Sequence, residues 1–478
     1  MPNPEHAKLL RSDDWNAWRS RNPNVTPDLT DADLQNADLS GKDLKRADLS
    51  RANLSGATLA GTDFSRATLE ATRWRSASAA GASFENCKLD FLDLSGVFLA
   101  GARLRAASLL GCPLAGANLA GADLSFSKLE GADLSNANLA GANLSEVNFR
   151  GVKTAGAHFD GANLTRALFE GVSAQRGSFP NADFTSASLK GADFSGADLR
   201  RAKFAGTILR QAALNAADCE KADFMDADLE LASAVETNFS GASFDRAKLR
   251  RAELRRARFL DAVGQNVSFN EAKLSEVDLR GARFEQANFQ AADFTKAVLR
   301  RANLKPHSFA GARFASADLS EVQAEGVNFS RADLSLGNFR QGNFKRADFS
   351  GARGFEADLS GTLLIGANFK DAVLQEADLR FARAMGADFS GATLTGADLA
   401  NADFTEAIFK KTKVWGATAR RAKPPKGMGA MLSLSTVFSK AKEKKEKTSD
   451  DKERARQKRI ADLEAAAEKT PPHRTGRR

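Results

Sequence analysis

The chain has 478 residues, 42% of them hydrophobic, with three cysteines and a formal net charge of +9. So few cysteines argue against a disulfide framework and fit a reducing compartment, and no run of about 18 apolar residues is present to cross a bilayer as a helix. Residues 29–420 carry 48 basic and 48 acidic side chains while residues 421–478 carry 17 basic against eight acidic, so the body is neutral and the excess lies in the tail, which calls for a different partner than a basic domain would.

Residues 1–28 lack a basic start followed by an apolar stretch, so export by a signal peptide is not expected and a cytoplasmic location is. Residues 5–20 read as helical, with Leu9, Leu10, Trp15 and Trp18 able to cover whatever follows, and Asn22-Pro23 ends the helix. This segment is expected to act as an N-terminal cap carried by Trp15 and Trp18.

From Leu29 a large apolar residue returns at every fifth position (Leu29, Leu34, Leu39, Leu44, Leu49), and the frame runs to Val414 without insertion or deletion, giving 78 units. Two residues before each stands a small residue, as in Ala32, Ala37, Ala47 and Ala52, with Asp, Asn or another polar residue between. A period of five fits neither a helix nor a plain strand. A short extended segment, however, points the small residue and the Leu or Phe to one side and the polar residue to the other. The remaining two residues turn the chain, and a chain that extends and turns every five residues closes into stacked coils around one core. Phe269, Phe289, Phe309, Phe329, Phe349, Phe369, Phe389 and Phe409 recur without interruption at intervals of 20, whereas intervals of 15 mix Phe with Leu. Like rings stacked on like rings favour a coil of four units. The 78 units then make between 19 and 20 coils, and roughly 4.8 Å per coil gives a rod of about 90–95 Å.

In these features residues 29–418 resemble the pentapeptide repeat proteins. The resemblance implies an all-β fold, a right-handed quadrilateral parallel β-helix. The entry segment Trp15-Asn16-Ala17-Trp18-Arg19, followed by Pro27-Asp28-Leu29, is similar to leaders that precede such arrays in bacterial proteins.

Several central positions hold small residues: Thr154, Ala174, Ala234 and Gly354 fall on one side of the square, and Gly264, Ala324 and Ala384 on the opposite side. The following residue is often bulky (Val235, Phe355, Met385), and it is expected to fill the vacated space, because interiors do not tolerate voids; the other reading is a shallow groove. At the C-terminal end Trp415 is expected to close the last units before Pro424-Pro425 breaks the frame. In the linker 419–440, residues 428–438 would cap an otherwise bare edge, or lie on a membrane surface because five lysines follow. Residues 441–478 read as a charged, helical or disordered basic tail.

The search for chemistry is brief. Cys87, Cys112 and Cys219 take inward positions as small hydrophobes, and no Cys/His spacing suits a metal. His307 takes an inward small-residue position beside Pro306, as a packing variant or a buried functional imidazole. No nucleotide or nucleophile motif appears, so neither a cofactor nor enzymatic activity is expected. An acidic run (Asp218, Glu220, Asp223, Asp226, Asp228, Glu230) precedes a basic one: Arg246, Lys248, Arg250, Arg251, Arg255, Arg256 and Arg258. The two would pair across coils, or the basic run would be a docking patch for carboxylate or phosphate.

Three functions follow from the sequence. The first is a rigid rod that binds a protein partner. The second comes from the resemblance, whose relatives include bacterial quinolone-resistance proteins that mimic a DNA duplex and inhibit topoisomerase; mimicry of phosphates calls for a dense negative surface, which a neutral body lacks. The third is tethering to anionic membrane or nucleic acid through the basic tail. A homodimer through the C-terminal region is a further possibility.

Overall fold

The computed structural model describes residues 2–304 and 307–425. Its organising feature is parallel pairing between residues twenty apart, beginning with Asp28↔Asp48 and Asp33↔Asn53 and continuing to Asp403↔Lys423. Each bridge residue is the outward one, usually polar, between the small and the large apolar residue. Backbone bonds run both ways across each junction: the Leu29 amide donates to the Asp48 carbonyl at 2.8 Å, and the Asp48 amide donates to the Pro27 carbonyl at 2.9 Å. Extended segments this short count mostly as single bridges. Among the described residues longer pairing occurs only at β1 (Val263–Gln265) and β2 (Arg283–Glu285).

The turn explains the period. The Ala32 amide donates to the Leu29 carbonyl at 3.1 Å, four residues closing a turn, and its third residue, Asp31, has φ of 57°. Every fifth described position from Asp31 to Arg421 has positive φ. Glycine adopts this conformation without penalty and Asn tolerates it. Other residues are strained there, so the coil-to-coil bonds must hold the corner: the Asp31 amide, for instance, donates to the Ser50 carbonyl at 2.9 Å.

Asp and Asn recur at the bridge position because their side chains serve two bonds. Asp123 Oδ1 accepts the Ser125 amide at 3.0 Å, which shapes the turn, and Asn143 Nδ2 from the next coil at 3.0 Å. Inside, the small and large apolar residues form one continuous buried core from Leu29 to Ala419. Phe269 to Phe409 stack as a column with ring centroids 4.7–5.3 Å apart. A second column on an adjacent wall comprises Phe184, Phe204, Phe224 and Phe244.

The N-terminal cap consists of two helices, α1 (Pro4–Leu10) and α2 (Trp15–Arg21), rather than one helix over 5–20. Asn3 caps α1, accepting from the Glu5 and His6 amides. Leu10 and Trp15 are fully buried against the first coil, with Leu9 and Trp18 partly buried beside them. The cap also satisfies the coil's open edge. Trp15 Nε1 donates to the Asp43 carbonyl at 2.8 Å, Asn16 Nδ2 to the Gly41 carbonyl at 2.9 Å, and a buried Arg19 to the Lys45 carbonyl at 2.9 Å.

Three sequence expectations change. Trp415 does not close the last units: it is 81% exposed, because it follows the central residue Val414, and that position faces outward. Pairing continues to Lys423, with Ala419 in the next central position. At Gly264 the space is taken by Val267 of the same coil and by Phe244 of the neighbouring one, and at Gly354 by Leu374 of the next coil. A Cβ on Gly264 would lie 3.1 Å from Phe244 Cβ, and one on Gly354 would lie 2.8 Å from Leu374 Cδ2. The bulky followers Val235, Phe355 and Met385 stay half-exposed. Phe244 and Phe284 close over Gly264, their centroids 6.3 Å apart. The 428–438 segment and the 441–478 tail lie outside the described residues.

Candidate interaction surface

The thirteen residues from Arg246 to Arg258 pass round more than half a coil, so the basic run does not lie on one face. Arg246, Arg251 and Arg256 occupy three successive corners, each at a positive φ. Lys248 and Arg258 lie on walls between corners. Acidic residues of adjacent coils meet most of them. Arg246 makes two 2.6 Å bonds to Asp226, Arg251 reaches Glu271 at 2.7 Å, and Arg256 bridges Glu276 and Glu236 at 2.9 and 3.3 Å. Arg250 lies between Glu230 and Glu271. Hydrogen bonding to Arg246 holds the Asp226 carboxyl below its usual range and raises the guanidinium. Of the seven, Lys248, Arg255 and Arg258 make no ion pair among the described residues. All these pairs are exposed, where such contacts contribute little.

The buried nucleophiles are inert. Cys87 and Cys112 donate to the Phe64 and Leu92 carbonyls at 2.9 and 2.8 Å, and burial pushes both thiols up to about 12 and Cys219 upward as well. A thiolate is the reactive form. His307 is buried too; its Nδ1 accepts the Ala287 amide at 3.3 Å and its Nε2 has no hydrogen-bond partner among the described residues. Burial lowers its pKa to about 4. His158 is exposed. Among the described residues no group of three or more His, Cys, Asp or Glu is arranged to hold a metal, and no helix is long and apolar enough to cross a membrane.

The feature that sequence reading passed over is a pair of outward phenylalanines. The bridges Lys88↔Ser108↔Lys128 define one wall over three coils. Phe91 stands at the corner that ends this wall and Phe126 at the corner that begins it, both at positive φ. Phe91 is 77% exposed and Phe126 is 50% exposed. The Phe91 ring lies across Gly111, where an added Cβ would come within 2.6 Å of Phe91 Cε1. Glycine at this corner is therefore what lets the ring lie along the rod. The Arg105 guanidinium sits 5.5 Å above the Phe126 ring, and Glu85, Asn86, Arg105, Ala106 and Phe126 line an open hollow of about 430 Å³. The signal was present in the sequence as aromatics at a turn position that mostly holds Gly, Asn or charged residues.

A stacked five-residue repeat around one continuous buried apolar core defines a solenoid. The family is defined by sequence. Models of "Pentapeptide repeats (8 copies)" match segments that together span 28–230, 312–351 and 355–423, and a "Pentapeptide repeat region" model matches 232–314. The chain belongs to the pentapeptide repeat family. No curated protein matches it. Solved structures similar to it include HetL, a pentapeptide repeat protein involved in heterocyst differentiation regulation from the cyanobacterium Nostoc sp. strain PCC 7120, at 27% identity over 53% of this chain and 90% of that one, with a TM-score of 0.19. Full-length QnrB1, a plasmid-mediated fluoroquinolone resistance protein, is 17% identical over 58% of this chain and 93% of its own, with a TM-score of 0.19. A pentapeptide repeat protein from the Arabidopsis thaliana thylakoid lumen is 27% identical over 27% of this chain and 66% of that chain, with a TM-score of 0.09.

Proposed function

We propose that this chain is a non-enzymatic, cytoplasmic rod, a right-handed four-walled β-helix of 19–20 coils, that binds a protein partner along its outer surface. The observation that supports this reading is the exposed pair Phe91 and Phe126, with Arg105 stacked on the latter, flanking one wall. Aromatic and arginine side chains are the residue types that dominate binding energy at protein interfaces. A rigid ladder loses little conformational entropy on association. Duplex mimicry is not favoured: the outward charges pair across coils and the body carries equal numbers of each sign, 48 and 48, whereas a phosphate-binding site selects a negative surface.

Native co-purification with the wild-type protein and with the Phe91→Ser/Phe126→Ser variant tests the reading. Both residues are outward, so the variant should melt with the wild type. A partner retained by the wild type and lost by the variant is expected. Equal recovery of every associated protein from both would refute the assignment.

A further inference from the structure

The wall flanked by Phe91 and Phe126 runs on past them. Its bridges continue from Lys128 through Asn148, Leu168, Ser188 and Ile208 to Asp228, eight coils counted from Lys88. Seven steps of roughly 4.8 Å make that stretch about 34 Å long. It lies in mid-rod: three coils precede Lys88, from Asp28, and nine follow Asp228, to Ile408. Seven large apolar side chains are exposed between Glu85 and Leu231, and six of them belong to this one wall or the turns that bound it. Leu168 and Ile208 stand on the wall itself. Phe91 and Leu231 occupy the corner that ends it, Phe126 the corner that begins it, and Met225 adjoins that same corner at Asp226. The seventh, Phe98, is on another wall. Single exposed apolar residues are ordinary, whereas apolar side chains gathered on one face mark a contact surface.

The stripe complements itself. Its midpoint falls between Asn148 and Leu168. A second copy laid antiparallel, about a two-fold axis through that midpoint, sets the coil of Lys88 against the coil of Asp228 and each corner against its own kind. Phe91 then meets Leu231, and Met225 meets the open hollow of about 430 Å³ bounded by Glu85, Asn86, Arg105, Ala106 and Phe126. Lys88 faces Asp228, Glu130 faces Lys190, and Arg150 faces Glu170. The corner beside the last two pairs holds glycine in every coil from Gly111 to Gly191, so Gly131 faces Gly191, Gly151 faces Gly171, and the backbones can approach. Asp90 meets a like charge in Glu230. Asp90 already accepts from the Ser108 hydroxyl and the Leu110 amide, and Glu230 is held by Arg210 and Arg250. The ends of the apolar stripe alone set this register, and the charge matches follow from it.

We propose that a second copy of the chain docks antiparallel on this wall. The proposal rests on the wall being a protein-binding surface and names the protein that occupies it. Parallel copies would set Lys88, Lys128 and Asp228 each against itself, which opposes that orientation. The wall and its bounding turns carry seven basic and eight acidic side chains from Glu85 to Leu231. So even a balance offers neither an anionic bilayer nor nucleic acid a field to bind. A contact of about 34 Å by roughly 15 Å buries on the order of 1,000 Å² over both copies, the lower bound of a specific interface. The dimer is therefore reversible, and its two-fold axis makes every pair twice.

Sedimentation velocity of the full chain over a dilution series tests this, with a charge swap as the discriminating variant. Within one chain Glu130 and Lys190 are three coils apart, about 14 Å, too far to pair with each other. Lys190→Glu sets glutamate against glutamate twice per dimer and should weaken association by roughly tenfold, as should Glu130→Lys. The Glu130→Lys/Lys190→Glu variant should restore it, which only contact between copies can do. Phe91→Ser/Phe126→Ser should weaken it by more than about a hundredfold. All these residues are outward, so the variants should melt close to the wild type. A monomer at every concentration up to roughly 100 μM would overturn the proposal. A dimer indifferent to the wall variants would place association elsewhere on the chain and overturn it too. A double variant no tighter than the single ones would remove the antiparallel register. A monomer that loses a different co-purifying protein in Phe91→Ser/Phe126→Ser would give the wall to that protein and refute self-docking alone. A monomer that loses none would refute both readings.

Discussion

Phe349 lies in the middle of the aromatic column and tests whether that column carries the stability of its coils. It is fully buried, with Phe329 stacked on one side at 5.1 Å and 3°, Phe369 on the other at 4.7 Å and 6°, and Phe344 edge-on at 5.6 Å. Phe349→Ala removes the buried ring and leaves a cavity, a loss of about 3–5 kcal/mol. Phe349→Leu keeps most of the apolar volume and forfeits the two stacked ring pairs, each contributing about 0.5–1.5 kcal/mol, so its cost is about 1–3 kcal/mol. A solenoid's contacts are between neighbouring coils, so the loss should stay local. Hydrogen exchange reads this directly. The Phe349 amide, bonded to Asn368, and the Phe329 amide, bonded to Asp348, should lose protection. The Leu39 amide, bonded to Thr58 in the second coil, should not. Equal losses at Leu39 and Phe349 would refute the local picture, and a Leu variant as stable as the wild type would refute a contribution from ring stacking.

Three further outcomes are expected. His307 has a folded pKa of about 4 against an ordinary 6.5, so between those values the unfolded chain binds a proton that the folded chain does not; stability attributable to this group is full above pH 6.5 and is lost as pH falls toward 4, by about 3 kcal/mol. The Ala287 amide should exchange faster on acidification in the wild type, and His307→Ala should flatten that dependence. Asp123→Ala removes the acceptor of the Ser125 amide and the Asn143 side chain and should cost about 1 kcal/mol in denaturant unfolding, whereas Asp123→Asn, which keeps an oxygen in place, should cost far less. Gly41→Ala meets open space but keeps φ of 65°, so its cost should be about 1 kcal/mol of backbone strain; Gly111→Ala, pressed against the Phe91 ring, should cost more in thermal melts, and a smaller difference in the Phe91→Ser background would confirm the contact.

The sequence alone determined the period, the inward and outward assignment of each position, and the twenty-residue coil, because the same chemical demand recurs at every unit and a phenylalanine column can be read by sampling the chain. Once the frame is known, even the outward station of Trp415 follows from its place after Val414; size suggested a lid there, but position decides. What the tertiary structure decided is adjacency. The run Arg246 to Arg258 looks like one patch along the chain, yet a backbone that turns a corner every five residues distributes it round the rod and hands Arg246, Arg251 and Arg256 to carboxylates one coil away. Phe91 and Phe126, 35 positions apart in sequence, share a wall for the same reason. The cap's bonds from Trp15, Asn16 and Arg19 to the first coil's carbonyls likewise belong to no repeat. Periodic demands are legible one residue at a time, whereas surfaces arise from the stacking of coils, which brings residues together by their position modulo twenty rather than by their order in the chain.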